Sequence, residues 1–134
     1  MADTTRTTVT LPTEQVAELK ELTDNVSGYV AEAVARQLRH HVGANTIVEV
    51  SHARVNTARM RWALSRVRVE PVTEQAAGAA AELLEAAGLH GHEYAIDATV
   101  AEMALRQPGP VAVLTSDIDA MARLCGDRVR LVGI

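Results

Sequence analysis

The sequence predicts a mixed α+β chain in two parts: a short strand–helix–helix segment, then a parallel α/β domain. Three observations predict it. Residues 5–11 read Thr-Arg-Thr-Thr-Val-Thr-Leu, which is β-branched and alternating. Two amphipathic helical patterns follow at once. Further on, strand and helix signals alternate, and the chain closes on strand, helix, strand.

Each element has a local reason. In the first strand Thr7, Val9 and Leu11 share one face, and Arg6, Thr8 and Thr10 share the other. Pro12 ends it. Val16, Leu19 and Leu22 recur at helical spacing over 13–22, and Thr23-Asp24-Asn25 is a turn. Ser27 is read as the N-cap of a second helix with the stripe Tyr29, Val30, Ala33, Val34 and Leu38. Residues 40–45 read as a break centred on Gly43. Residues 46–50 fit strand or helix. Asn56 caps a helix running to Val67, with Met60, Ala63, Leu64 and Val67 inward, and 69–72 form a short strand. Thr73 and Gly88 bound an alanine-rich helix. His90-Gly91-His92 is a loop, 93–106 a helix, and Pro108-Gly109-Pro110 a breaker. The closing elements are a strand over 111–115, a helix over 119–124 and a strand over 129–132.

A segment of about 40 residues with one strand and two helices cannot bury its apolar faces alone. A lone strand also leaves its ladder groups unpaired. Pairing two copies through the strand solves both problems, so the first part predicts a homodimer.

Composition narrows the function classes. The chain has 134 residues, net charge -4, no Phe, one Trp and two Tyr. Ala, Val and Leu must therefore supply the core, which argues against an aromatic stacking surface for single-stranded nucleic acid, and Trp62 reads as core rather than as a stacking platform. The acidic balance excludes a uniformly basic coat for nucleic acid, but not a local patch. The single cysteine, Cys125, forms neither an internal disulfide nor a Cys-based zinc site, and reads as a small buried hydrophobe at a helix end. A reducing, cytoplasmic setting is expected. No run is long and apolar enough to span a membrane, and the polar opening residues lack a signal-peptide pattern.

The first candidate site is the polar strand face. Two copies of Arg6, Thr8 and Thr10 side by side would form a ribbon that fits a major groove. Ser27 and Gly28, at a helix start, would offer backbone N–H groups to a phosphate. The ordinary alternative is a solvated strand face. The run Thr-Thr-Val-Thr-Leu-Pro, a helix, a turn, then Asn25-Val26-Ser27-Gly28-Tyr29-Val30 and an amphipathic helix resembles the ribbon-helix-helix family. More narrowly, it resembles the DNA-binding half of VapB-type antitoxins. The resemblance covers about residues 4–41. It implies a ribbon-helix-helix segment over 1–41 and a homodimer that binds operator DNA through Arg6, Thr8 and Thr10. It also implies a cognate toxin or antitoxin chain as partner.

The second candidate site is a set of spaced carboxylates. Asp117 follows a strand at its carboxyl end, where open α/β sheets bind ligands, with Thr115 and Ser116 beside it. Asp97 lies in the first turns of a helix, and Glu93, four residues earlier, shares its face. A hard divalent cation such as Mg²⁺ would compensate the repulsion and can activate water for attack on phosphate. The ordinary alternative makes these residues helix caps and solvated acids. The i, i+2 spacing of His90 and His92 does not suit zinc. The stretches 46–50, 88–98 and 113–117 resemble the later two-thirds of a PIN domain, the fold of VapC-type toxins, which are Mg²⁺-dependent ribonucleases. That resemblance covers 45–134. It implies Glu49, Asp97 and Asp117 as catalytic, metal-holding acids, with Asp119 a further candidate.

PIN domains open with a strand that carries an Asp. Here the ribbon-helix-helix segment stands in that place, so one acid and the first strand and helices are expected to be missing, leaving a gap in the sheet. Arg54, Arg59, Arg61, Arg66 and Arg68 span a stretch without acids, which reads either as an exposed helix face or as a track for an RNA or DNA backbone. The sequence therefore leads to a dimeric, repressor-like DNA-binding protein fused to a partial PIN domain. A Mg²⁺-dependent ribonuclease and an inactive gene-fusion relic are the alternatives.

Overall fold

Pro12, at φ -55° and ψ 141°, sets the chain up for helix α1 (Thr13–Leu22), and its carbonyl accepts from the Val16 N–H. The computed structural model describes residues 5–37 and 39–134. It divides into two units, Met1–Arg39 and His40–Ile134. In the first unit, residues 5–12 form neither helix nor sheet within the single chain. Helix α1 matches its expected limits. Helix α2 (Val26–Gln37) starts one residue before the expected cap. Asn25, not Ser27, is the N-cap: its Oδ1 accepts from the Gly28 N–H at 3.0 Å, and its own N–H donates to Thr23 Oγ1. Leu38, expected on the apolar stripe of α2, lies outside the described residues.

The second unit opens with a strand where a break is expected. β1 (His41–Gly43) pairs in parallel with β2 (Arg68–Glu70), in the register His41 to Arg68 and Gly43 to Glu70. Helix α3 (Ala44–Val50) follows β1 directly, which resolves the open reading of 46–50. Asn56 caps α4 (Thr57–Leu64) by accepting from the Arg59 N–H at 3.0 Å. Thr73 caps α5 (Glu74–Ala87) in the same way, and Gly88 ends it at φ 64°, a left-handed conformation that glycine adopts freely. Helix α6 (Gly91–Arg106) takes in the expected loop residues Gly91 and His92 and bends at Tyr94, where φ is -116° and ψ 20°. β3 (Ala112–Thr115), α7 (Ile118–Cys125) and β4 (Arg130–Gly133) form the expected strand–helix–strand, with β3 and β4 parallel.

The expected single parallel sheet is not seen. Among the described residues the strands form two separate pairs, β1 with β2 and β3 with β4. The core sits where α5, α6 and α7 meet over β3. Ala80, Ala98, Ala101 and Ala104 let the helices approach closely, while Val113, Met121, Leu124 and Cys125 fill the space between them. In a chain without Phe, the largest fully buried side chains are Met121 and Cys125. Cys125 thus takes the buried, helix-end position expected of it, and burial pushes its thiol pKa upward.

Candidate functional site

The carboxylate set is positioned by three elements. Glu49 lies in the last turn of α3 and is exposed. Asp97 is half-buried on α6, just past the bend at Tyr94. Asp117 is half-buried at the start of α7. The fold brings Asp117 and Glu49 each within electrostatic reach of Asp97. Burial raises the Asp97 pKa above the ordinary aspartate value, and the charges of Asp117 and then Glu49 raise it further, against a backbone hydrogen bond that lowers it.

Asp117 also has the ordinary role open to it from sequence. Its Oδ1 accepts from the Ala120 N–H at 2.9 Å and caps α7, while its own N–H donates to Thr115 Oγ1 at 3.0 Å. Thr115 is buried and tied to that turn. Glu93 and Asp119 are exposed. Among the described residues, no group of three or more His, Cys, Asp or Glu side chains is arranged to hold a metal ion. Asp117 and Glu49 each act on Asp97, but among the described residues the three are not gathered into a cage, so no catalytic step through Mg²⁺ follows from this arrangement.

The end of β1 adds to this. Its last residue is Gly43, which brings no side chain toward α6. A Cβ there would meet Thr46 Oγ1 at 3.7 Å and Val100 Cγ2 at 3.9 Å, ordinary contacts. Val100 lies three residues along α6 from Asp97, on the same helix face. Thr46 Oγ1 is buried without a hydrogen-bond partner. Residues 41–43, expected as part of a break, thus form a short strand that carries no acid of its own and ends in register with Glu70.

Residues 5–10, expected as a strand with two distinct faces, are all exposed, Arg6, Thr8 and Thr10 no more than Thr7 and Val9. Ser27 and Gly28 do not form the open anion nest expected of them, because the Gly28 N–H is already taken by Asn25. A Cβ on Gly28 would lie 2.5 Å from Asn25 Nδ2, so the glycine makes room for the folded-back cap. Ser27 is exposed in the first turn of α2.

No protein-family model, curated protein or solved structure matches this chain. The site must stand on its own geometry.

Two groups escaped the sequence reading or were misread in it. Glu70 is buried at 8% exposure, and its Oε1 pairs with His41 Nδ1 at 2.8 Å and Arg68 Nε at 3.1 Å, with Arg106 Nη1 at 3.9 Å from Oε2. An acid between Val69 and Pro71-Val72, in the stretch expected as a short strand, was the available signal. Trp62, expected in the core, is 63% exposed on α4, and the Arg66 guanidinium lies 5.1 Å from its ring centroid. The inward positions of α4 are taken by Met60 and Leu64 instead.

Proposed function

We propose that the chain is a dimeric, repressor-like DNA-binding protein of the toxin–antitoxin kind, fused to a PIN-related second unit that lacks a complete metal site. One observation carries the first half of this reading. Among the described residues of the first unit, none is buried. Val9, Leu22, Tyr29 and Val34 are left 61%, 68%, 43% and 51% exposed. A folded unit needs an apolar interior, and this one is supplied if a second copy covers the stripe. The same pairing gives residues 5–12 the ladder partner they lack within one chain. It sets Arg6, Thr8 and Thr10 of two copies in one ribbon of a width that enters the major groove.

A gel shift with duplex DNA from upstream of the gene tests the reading. A shifted complex at low salt that weakens with Arg6→Ala is the expected result. No shift at low salt removes the operator-binding role.

The alternative, a Mg²⁺-dependent ribonuclease, has one observation in its favour. Asp97 carries a pKa raised first by burial and then by the charges of Asp117 and Glu49, and a cation would relieve the charge repulsion. Against it weighs that, among the described residues, no three acids are gathered to hold a metal. RNA cleavage in Mg²⁺ that is lost in Asp97→Asn would turn the balance, whereas equal turnover in both proteins discredits the assigned acids. A fusion relic without activity remains the outcome if neither assay gives a signal.

A further inference from the structure

We infer that the second unit carries a docking surface for single-stranded RNA, built on α4 around Trp62 and separate from the DNA-binding face of the first unit. Trp62 is the chain's one tryptophan, and the fold turns it outward to 63% exposure. An exposed indole is an unsatisfied apolar surface of large area. Arg66, one turn further on, lies against the ring at 5.1 Å from its centroid, which orients the indole and leaves the rest of it open.

Charge selects the occupant. From Val50 to Val69 the chain has no acidic residue. Arg54, Arg59, Arg61 and Arg66 are all exposed, and among the described residues none of them has a carboxylate within ion-pair distance. Arg68 differs, since it is held by Glu70. A shallow open depression beside Trp62 is bordered by His52, Arg54, Val55 and Arg59. Unpaired cations around one exposed aromatic ring match a strand that offers phosphates and an unstacked base together. Duplex DNA hides its base faces, whereas RNA presents them in loops and single strands. The base would stack on Trp62 while Arg54 and Arg59 take the neighbouring phosphates. The net acidity of the whole chain does not oppose this, because the patch itself contains no acid.

The lone tryptophan makes the test specific. The full chain is titrated with an oligouridylate at low salt, following tryptophan fluorescence and, with a labelled strand, anisotropy. Saturable quenching is expected, with affinity falling as salt rises at a log–log slope near -2 if about three phosphates are engaged. Trp62→Ala should weaken the anisotropy-detected affinity by about fivefold or more, and Trp62→Tyr should restore most of it. Arg54→Ser with Arg59→Ser should flatten the salt slope by about 1.4. These side chains are exposed, so circular dichroism should be unchanged in every variant.

Three outcomes overturn the inference. One is no quenching and no anisotropy change with oligouridylate. Another is equal quenching by poly-glutamate, which would make the patch a dock for an acidic protein segment. The third is oligouridylate binding that is indifferent to all of these substitutions. Since the operator reading is tested on duplex DNA and Arg6, either can fail without the other.

Discussion

Asp97 shows how one residue's surroundings set its chemistry. Its pKa is raised in the folded chain by burial and by Asp117 and Glu49. The folded state thus holds the proton more tightly than the unfolded state, so stability falls as pH rises from 3.8 through the folded value. Asp97→Asn should accordingly stabilise the protein at pH 7, by roughly 0.5 kcal/mol or about 2 °C in Tm. Thermal melts at pH 7 and near pH 3.5 check this, because the gain should shrink at the lower pH. Mg²⁺ that raised the Tm of the parent but not of the variant would revive the metal reading. Glu70 is a buried carboxylate beside Arg68, Arg106 and the His41 imidazole. Glu70→Ala removes the acceptor for His41, Arg68 and Arg106 together. Arg68 and Arg106 are largely exposed, which limits the loss to about 2 kcal/mol in urea unfolding, short of a fully buried pair. Arg106 keeps a second partner through Nε to Glu102 Oε1 at 2.9 Å.

Among the elements, α2 depends on a single cap. Asn25→Ala should weaken the first unit by about 1 kcal/mol, read as an earlier loss of helical circular dichroism on heating. Gly28→Ala should have a similar effect despite the higher helix propensity of alanine, because its Cβ would dislodge the Asn25 side chain. A rise in stability in Gly28→Ala would show that the cap contributes little. The helix boundaries were largely legible because caps and breakers are local. Pro12, Asn56, Thr73 and Gly88 each act within one turn of chain. β1 was not legible. A three-residue strand has no period to detect, and His41-Val42-Gly43 becomes a strand only because β2 offers it hydrogen bonds.

For the whole molecule, association is the decisive matter. A first unit with no buried residue among those described and a wide apolar stripe predicts a dimer in solution. Val34→Glu places a charge on that stripe and should shift the species seen in sedimentation velocity from dimer to monomer. It should also abolish any DNA shift, since one strand cannot make a ribbon. A well-folded parent that sediments as a monomer at micromolar concentration would remove the basis for the repressor reading. The split of the second unit's strands into two pairs belongs to the same scale. Four short strands without a shared partner leave ladder edges open, which a further chain could cover.

The sequence by itself determined most of the helices, the caps at Asn56, Thr73 and Gly88, the closing parallel strand–helix–strand and the buried place of Cys125, because these follow from local periodicity and turn chemistry. It also determined that the core would be built from alanine and small aliphatic residues. Only the tertiary structure decided that Asp117 and Glu49 both act on Asp97, that Glu70 faces three basic side chains, and that Trp62 faces water. Those outcomes depend on which faces of α3, α4 and α6 turn toward the core. Contacts between residues far apart in the chain fix that choice, and no window of sequence contains them.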